Sequence, residues 1–111
     1  MNEKLLQMLG IARRAGKLSL GHDAAKTAVT SSKARLCILA SDASERLERE
    51  FANLSSSARN PLPVVRLKES MEQLHKSIGA KAGVLTVNDE GFANRLQELS
   101  TLLGEETAYD D

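Results

Sequence analysis

Gly21 separates a short apolar run, Leu18-Ser19-Leu20, from the polar stretch His22-Asp23-Ala24-Ala25-Lys26. A strand closed by glycine and followed at once by a helix start presents unbonded backbone N–H groups and the positive end of the helix dipole. Lys17, Lys26 and the pair Arg13-Arg14 lie nearby in sequence. Donors, dipole and cations together suit a phosphate group. Nucleic acid is therefore the partner class that this stretch implies. Arg13 and Arg14 are its outer members, because a helical arginine pair also serves as an ordinary solvated face.

Catalytic chemistry finds no comparable arrangement. Gly10 to Gly16-Lys17 has the outline of a phosphate-binding loop, but one residue too many separates the glycines. Leu18 stands where Ser or Thr would hold magnesium, and a strand rather than a helix follows. One cysteine and two distant histidines, His22 and His75, form no recognisable metal set. Asp42 and Ser44 follow a strand, a favoured place for sites in α/β folds, yet their spacing also suits a helix cap. Cys37, inside Leu36–Leu39, reads as a buried strand residue rather than a reactive thiol. The expectation is no enzyme, with no catalytic residue, no metal and no cofactor. Phe51 and Phe92 belong to apolar stripes and Tyr109 lies near the end of the chain. With no aromatic platform for stacking bases, RNA recognition would rest on phosphate, shape and polar base-edge contacts.

The elements that must hold these residues alternate between helical and strand periods. Leu5, Met8, Leu9 and Ala12 make the stripe of a first helix, ended near Gly16. Lys17–Leu20 reads as a strand, and residues 22–31 as a helix with the small core face Ala25, Ala28 and Val29. Arg35–Ala40 is a continuous apolar strand, central and covered on both faces. Asp42–Glu45 has capping-box spacing before a helix bearing Leu47, Phe51 and Leu54. Ser55–Pro61 reads as a loop and Pro63–Leu67 as a strand. A second capping box, Ser70–Gln73, opens a helix ended by Gly79. Gly83–Val87 is the last strand, after which Asn88 caps a helix carrying Phe92, Leu96, Leu99 and Leu103.

This alternation with short connections predicts a three-layer α/β/α sandwich around a small mixed, largely parallel sheet. Residues 1–103 are expected to form one domain, and 104–111 an acidic, frayed tail. The 111-residue chain is neutral overall, but residues 1–35 carry net +5 and the remainder net −5. A neutral molecule with a local basic surface satisfies electrostatic recognition of nucleic acid. No apolar run approaches the roughly 20 residues of a membrane span, and the first residues lack a signal-peptide core. A cytoplasmic protein without a membrane partner is the expectation.

With these residues in view, the chain resembles the YlxQ-type bacterial branch of the L-seven-Ae/L-thirty-e ribosomal protein superfamily. The resemblance covers residues 4–99. It rests on Leu6–Gly16, Lys17, Gly21, Lys33-Ala34-Arg35-Leu36, Leu39–Ser44, Leu74–Gly79 and Asn88–Ala93, in that order. It implies an α/β/α sandwich that binds kink-turn or related bent RNA, ribosomal RNA included, beside ribosomal or ribonucleoprotein components. The RNA-contacting set it implies is Lys17, Gly21, His22, Asp23, Lys26, Thr27 and Lys33, with Arg13, Arg14 and Lys76 as outer cations. Lys76 enters through the family's second binding element, here Lys68-Glu69-Ser70 before the helix that carries it.

The family's RNA motif is a glycine, then Asn-Glu two and three positions later, then Lys three further on. Ungapped, it falls on Gly21, Asp23, Ala24 and Thr27, and only the glycine matches. Lys26 is one position early, about 100° round a helix. A protein-interaction or scaffold role on the same fold, with weakened RNA specificity, is the alternative reading.

Overall fold

The computed structural model describes the backbone of residues 3–109 and the side chains of residues 3–100. Five helices and four strands alternate along it: α1 (Glu3–Arg14), β1 (Leu18–Leu20), α2 (His22–Thr30), β2 (Leu36–Leu39), α3 (Glu45–Ser57), β3 (Val64–Arg66), α4 (Met71–Ile78), β4 (Val84–Val87) and α5 (Glu90–Tyr109). The strands form one sheet in the order β1-β4-β2-β3.

Residue alternation along the two central strands divides the core in two. Leu36, Ile38 and Ala40, with Leu85 and Val87, meet Leu5, Leu6 and Leu9 of α1, Leu74 and Ile78 of α4, and Ala93, Leu96 and Leu99 of α5. From the opposite face Cys37, Leu39 and Val84 meet Ala25 of α2 and Phe51 of α3. Ala28, Val29 and Ala34 extend that second layer. Every residue of β2 and β4 is buried, as befits strands covered on both sides; β2 is apolar throughout, and β4 is apolar but for Thr86. The three-layer α/β/α sandwich expected from the sequence is the architecture observed.

The sheet is mixed, but its balance differs from the expectation of a largely parallel one. Only β2 and β3 pair in parallel, whereas β4 runs antiparallel to both β1 and β2. The stretch 79–83 delivers the chain to the end of the sheet where β1 and β2 finish. There the Gly21 N–H donates to the Val84 carbonyl at 3.0 Å, and the Ala40 N–H donates to the Gly83 carbonyl at 2.9 Å. Alternating elements in a sequence do not reveal that reversal.

Local signals act largely as their chemistry dictates. Ser70 and Gln73 form both halves of a capping box, and Gly79 ends α4 in the left-handed conformation, φ 76° and ψ 9°. Gly10 permits close approach of α1 to α4, since a Cβ there would lie 3.3 Å from the Ser77 carbonyl oxygen.

Three boundaries differ from the sequence reading. α3 is capped by Ser44, whose Oγ accepts from the Leu47 N–H at 3.1 Å, while Asp42 reaches across to accept from the Met71 N–H at 3.0 Å. α3 also continues through Ser57, with Ser55 buried in its last turns. Asp89, not Asn88, caps α5 by accepting from the Phe92 N–H at 2.9 Å. The backbone of α5 extends to Tyr109. The side chains of the expected acidic tail, and its last two residues, lie outside the described residues.

Candidate nucleic-acid interface

The start of α2 is built by a backbone that only glycine adopts readily. Gly21 has φ 90° and ψ 170° and occupies the N-cap position without any side-chain cap. Its N–H is taken by Val84 and its carbonyl accepts from the Ala25 N–H at 3.0 Å, so β1 ends and α2 begins at one residue. The first-turn N–H groups of α2 are thereby left for an incoming acceptor.

From this point a shallow groove of about 430 Å³ runs along α2. Ser19, Asp23, Ala24, Thr27, Ala28, Ser31 and Lys33 line it. Its contents follow helical geometry: positions 23, 24, 27, 28 and 31 share one side of α2, and Ser19 supplies the adjoining wall from β1. Asp23 stands at the Gly21 end and Lys33 follows the other end of α2. The groove is therefore acidic where the helix dipole is positive and basic where that dipole is negative.

The opposite side of α2 faces α3. A groove of about 560 Å³ is lined there by Lys26, Val29, Thr30, Glu50, Asn53, Leu54, Ser57, Ala58 and Arg59. At its head His22 bridges two carboxylates: Nδ1 lies 3.2 Å from Asp23 Oδ1 and Nε2 lies 2.8 Å from Glu50 Oε2. The imidazole also meets the Phe51 ring edge-on, with centroids 5.6 Å apart. Hydrogen bonding to Asp23, and then to Glu50, raises the His22 pKa above its ordinary 6.5. Protonated His22 thus offsets the negative charge of Asp23 beside the helix start.

Backbone closure at glycine, a helix N-terminus and an adjoining groove occur here on a β1-β4-β2-β3 sheet, sandwiched between helical layers. Residues 3–97 match the model of the Ribosomal protein L7Ae/L30e/S12e/Gadd45 family. The chain belongs to this family. Its YlxQ-type branch is marked by two relatives, both called RNA-binding protein YlxQ. The one from Bacillus subtilis (strain 168) is 34% identical over 93 residues, covering 83% of this chain and 90% of the relative. The one from Enterococcus faecium is 30% identical over 97 residues, covering 87% and 91%. A solved structure of a protein with unknown function from Bacillus halodurans C superposes with a TM-score of 0.81 at 30% identity, covering 88% of this chain and 97% of the other. A Giardia lamblia 15.5kD RNA binding protein shares the fold, with a TM-score of 0.70 at 18% identity and coverage of 95% and 92%.

Set against the L7Ae-family motif, α2 distributes the anticipated residues over two sides. Asp23, Ala24, Thr27 and Lys33 share the groove beside β1, with Gly21 at its head. Lys26 lies on the α3 side with Glu50, so it does not stand in for the motif lysine at Thr27. Lys17 is exposed at the start of β1, at the far end from Gly21, where its carbonyl accepts from the Asn88 N–H at 2.8 Å.

Arg13, Arg14 and Lys76 belong to the helical layer on the other face of the sheet. Arg13 donates from Nη1 to the Ile78 carbonyl at 2.8 Å, where a cation complements the C-terminal end of α4. Arg14 lines a groove between α1 and α4. The positive charge of the first 35 residues therefore does not gather on one face.

Two groove residues escaped the sequence reading, Ser19 and Ser31. Ser31 spends its hydroxyl proton on the Thr27 carbonyl at 2.7 Å, while Ser19 joins a buried polar chain. The sequence signal for Ser19 is a polar residue alternating between Leu18 and Leu20 on a strand, which puts it on the opposite face of the sheet from those two leucines.

The neighbouring loops are held rigidly. Arg66 Nη1 donates to the carbonyls of Ala40, Ser41 and Ala43 at 3.2, 2.9 and 2.9 Å. Its Nε donates to Glu48 Oε1 at 2.8 Å. The Ser41 N–H donates to the Glu69 carbonyl at 2.8 Å, fastening the β2–α3 and β3–α4 loops together. Among the described residues, no group of three His, Cys, Asp or Glu side chains is placed to hold a metal ion, and no helix is long and apolar enough to cross a membrane.

Proposed function

We propose that this chain is a non-catalytic RNA-binding protein that engages structured RNA at the start of α2 and along the groove beside β1. The observation that carries the reading is Gly21, whose backbone leaves the α2 N-terminus uncovered and lets a phosphate approach without a side chain in the way. The names of the Bacillus subtilis and Enterococcus faecium relatives support RNA as the ligand. A bent RNA of the kink-turn class, in a ribosomal or translation context, is the target we assign.

Recognition on this surface is phosphate first and base second. Ala24 carries no acceptor for a base edge and Thr27 no cation. Each good polar base contact contributes about 1–3 kcal/mol of discrimination, so two absent contacts lower specificity by about 2–6 kcal/mol unless other groups compensate. Lys33 in the groove and the α2 N–H groups supply the remaining attraction, while protonated His22 offsets part of the negative charge of Asp23 and Glu50.

Fluorescence anisotropy with a kink-turn RNA, the same RNA with its kink mutated, and a plain duplex tests the reading. Preference for the bent RNA that persists at moderate salt is expected. Equal, weak binding to all three rules out recognition of the bend, and binding to none rules out the RNA role.

A further inference from the structure

A directed hydrogen-bond chain lies beneath the groove. Thr86 is fully buried, and its hydroxyl has one partner among the described residues, the Asn88 amide, with Oγ1 2.9 Å from Oδ1. A buried hydroxyl proton without an acceptor is costly, and an amide NH2 accepts nothing. Thr86 must therefore donate to Oδ1, which turns the Asn88 NH2 toward Ser19 Oγ at 2.8 Å. That NH2 only donates, so Ser19 accepts, and the Ser19 hydroxyl proton must point elsewhere. No acceptor among the described residues takes it, and Ser19 lines the groove together with Lys33.

We propose that Ser19 is a dedicated hydrogen-bond donor to a phosphate oxygen of RNA seated in this groove, with Asn88 and Thr86 fixing the direction of its proton. Lys33 lines the same groove and supplies a cation for an anionic acceptor, against Asp23 at the Gly21 end. Ser31, whose proton is already held by Thr27, cannot duplicate the role. The inference rests on the RNA-binding reading and adds to it a residue outside the glycine motif. Asn88 and Thr86 act as positioning residues.

The test measures RNA affinity by anisotropy, with a thermal melt of each variant. Ser19→Ala is expected to weaken binding about tenfold, as for a hydrogen bond to a charged group. Ser19→Thr, which keeps the hydroxyl on a β-branched residue suited to a strand, is expected within about twofold of the parent. If the alanine variant melts early, Ser19→Cys, similar in size with a weak S–H donor, reads the same loss.

Asn88→Asp is the directional control. A carboxylate accepts from Thr86 and also from Ser19, which turns the Ser19 proton away from the groove. Its effect on affinity should be large with Ser19 present and smaller in the Ser19→Ala background. A plain effect of charge or folding would be equal in both backgrounds, and that result overturns the assignment. So does Ser19→Ala binding within twofold of the parent protein. If the Ser19→Ala loss vanishes on 2′-deoxy-substituted RNA, the acceptor is a ribose hydroxyl and the phosphate assignment falls. A parent protein that binds no RNA fails the functional reading itself, a result distinguishable from all of these.

Discussion

Replacing Gly21 with alanine separates backbone strain from packing. With φ 90° and ψ 170°, the residue lies in a region that side chains avoid, at a cost of about 1–3 kcal/mol. A Cβ there would have nothing within 4 Å, so no collision contributes. In a domain of 111 residues, each kcal/mol lowers the melting temperature by roughly 3–6 °C, giving a prediction of about 3–18 °C for Gly21→Ala. Gly79 supplies the comparison: it also has nothing within 4 Å of a Cβ, but its φ 76° and ψ 9° lie where asparagine is tolerated. Asparagine at Gly79 should therefore cost less than about 1 kcal/mol, and at Gly21 nearly as much as alanine. Calorimetry of the three variants decides the matter. Equal losses from asparagine at the two positions, or a Gly21→Ala melting temperature within about 1 °C of the parent, would refute the strain argument.

Three further outcomes are expected. Because the His22 pKa is raised, first by Asp23 and then by Glu50, its stabilising pairing is fully present below the unfolded value near 6.5 and is lost as pH rises through the folded pKa. An NMR titration should place the His22 midpoint above 6.5 and show it falling in Asp23→Asn and Glu50→Gln; a midpoint unmoved by both changes contradicts the bridge. Burial pushes the Cys37 thiol up to about 12, so a thiol reagent at pH 8 should label it only at the rate of unfolding, and rapid native labelling would be inconsistent with its place in β2. Arg66→Met leaves the Ala40, Ser41 and Ala43 carbonyls without their shared donor and should cost about 1–3 kcal/mol in urea denaturation. Lysine should recover only part of that loss because it lacks the guanidinium fork, and an unchanged midpoint for the methionine variant would sink the loop-fastening role.

The fold was legible because periodicity encodes burial. The run Leu36–Leu39 indicated a strand covered on both sides, and the Ser70–Gln73 spacing indicated a helix start that the structure builds with both halves of its capping box. Strand direction was not legible. It depends on where residues 79–83 return the chain, and apolar spacing carries no record of that path. Caps were legible as chemistry but not as position. Asp42, Ser44, Asn88 and Asp89 are all competent acceptors, and tertiary partners assign Asp42 to Met71 and Asn88 to Ser19, leaving Ser44 and Asp89 for the helices. Ser19 was the hardest to see, because its partners lie nearly 70 residues away in sequence.

The phase of α2 sharpens what its charges mean. Adjacent residues on a helix differ by about 100° in direction, and here that angle puts Lys26 against α3 while Thr27 faces the groove. Counting basic residues near Gly21 therefore overstates the charge available beside β1, where Lys33 is the one lysine lining the groove and Asp23 opposes it. Attraction must then come from groups that composition does not register: N–H groups at the start of α2 and a serine proton aimed by a buried threonine. Each of these reads an oxygen or a charge rather than the identity of a base. A protein built this way selects RNA by whether its backbone can follow the groove, which makes the shape of the RNA the variable to which binding should respond most strongly.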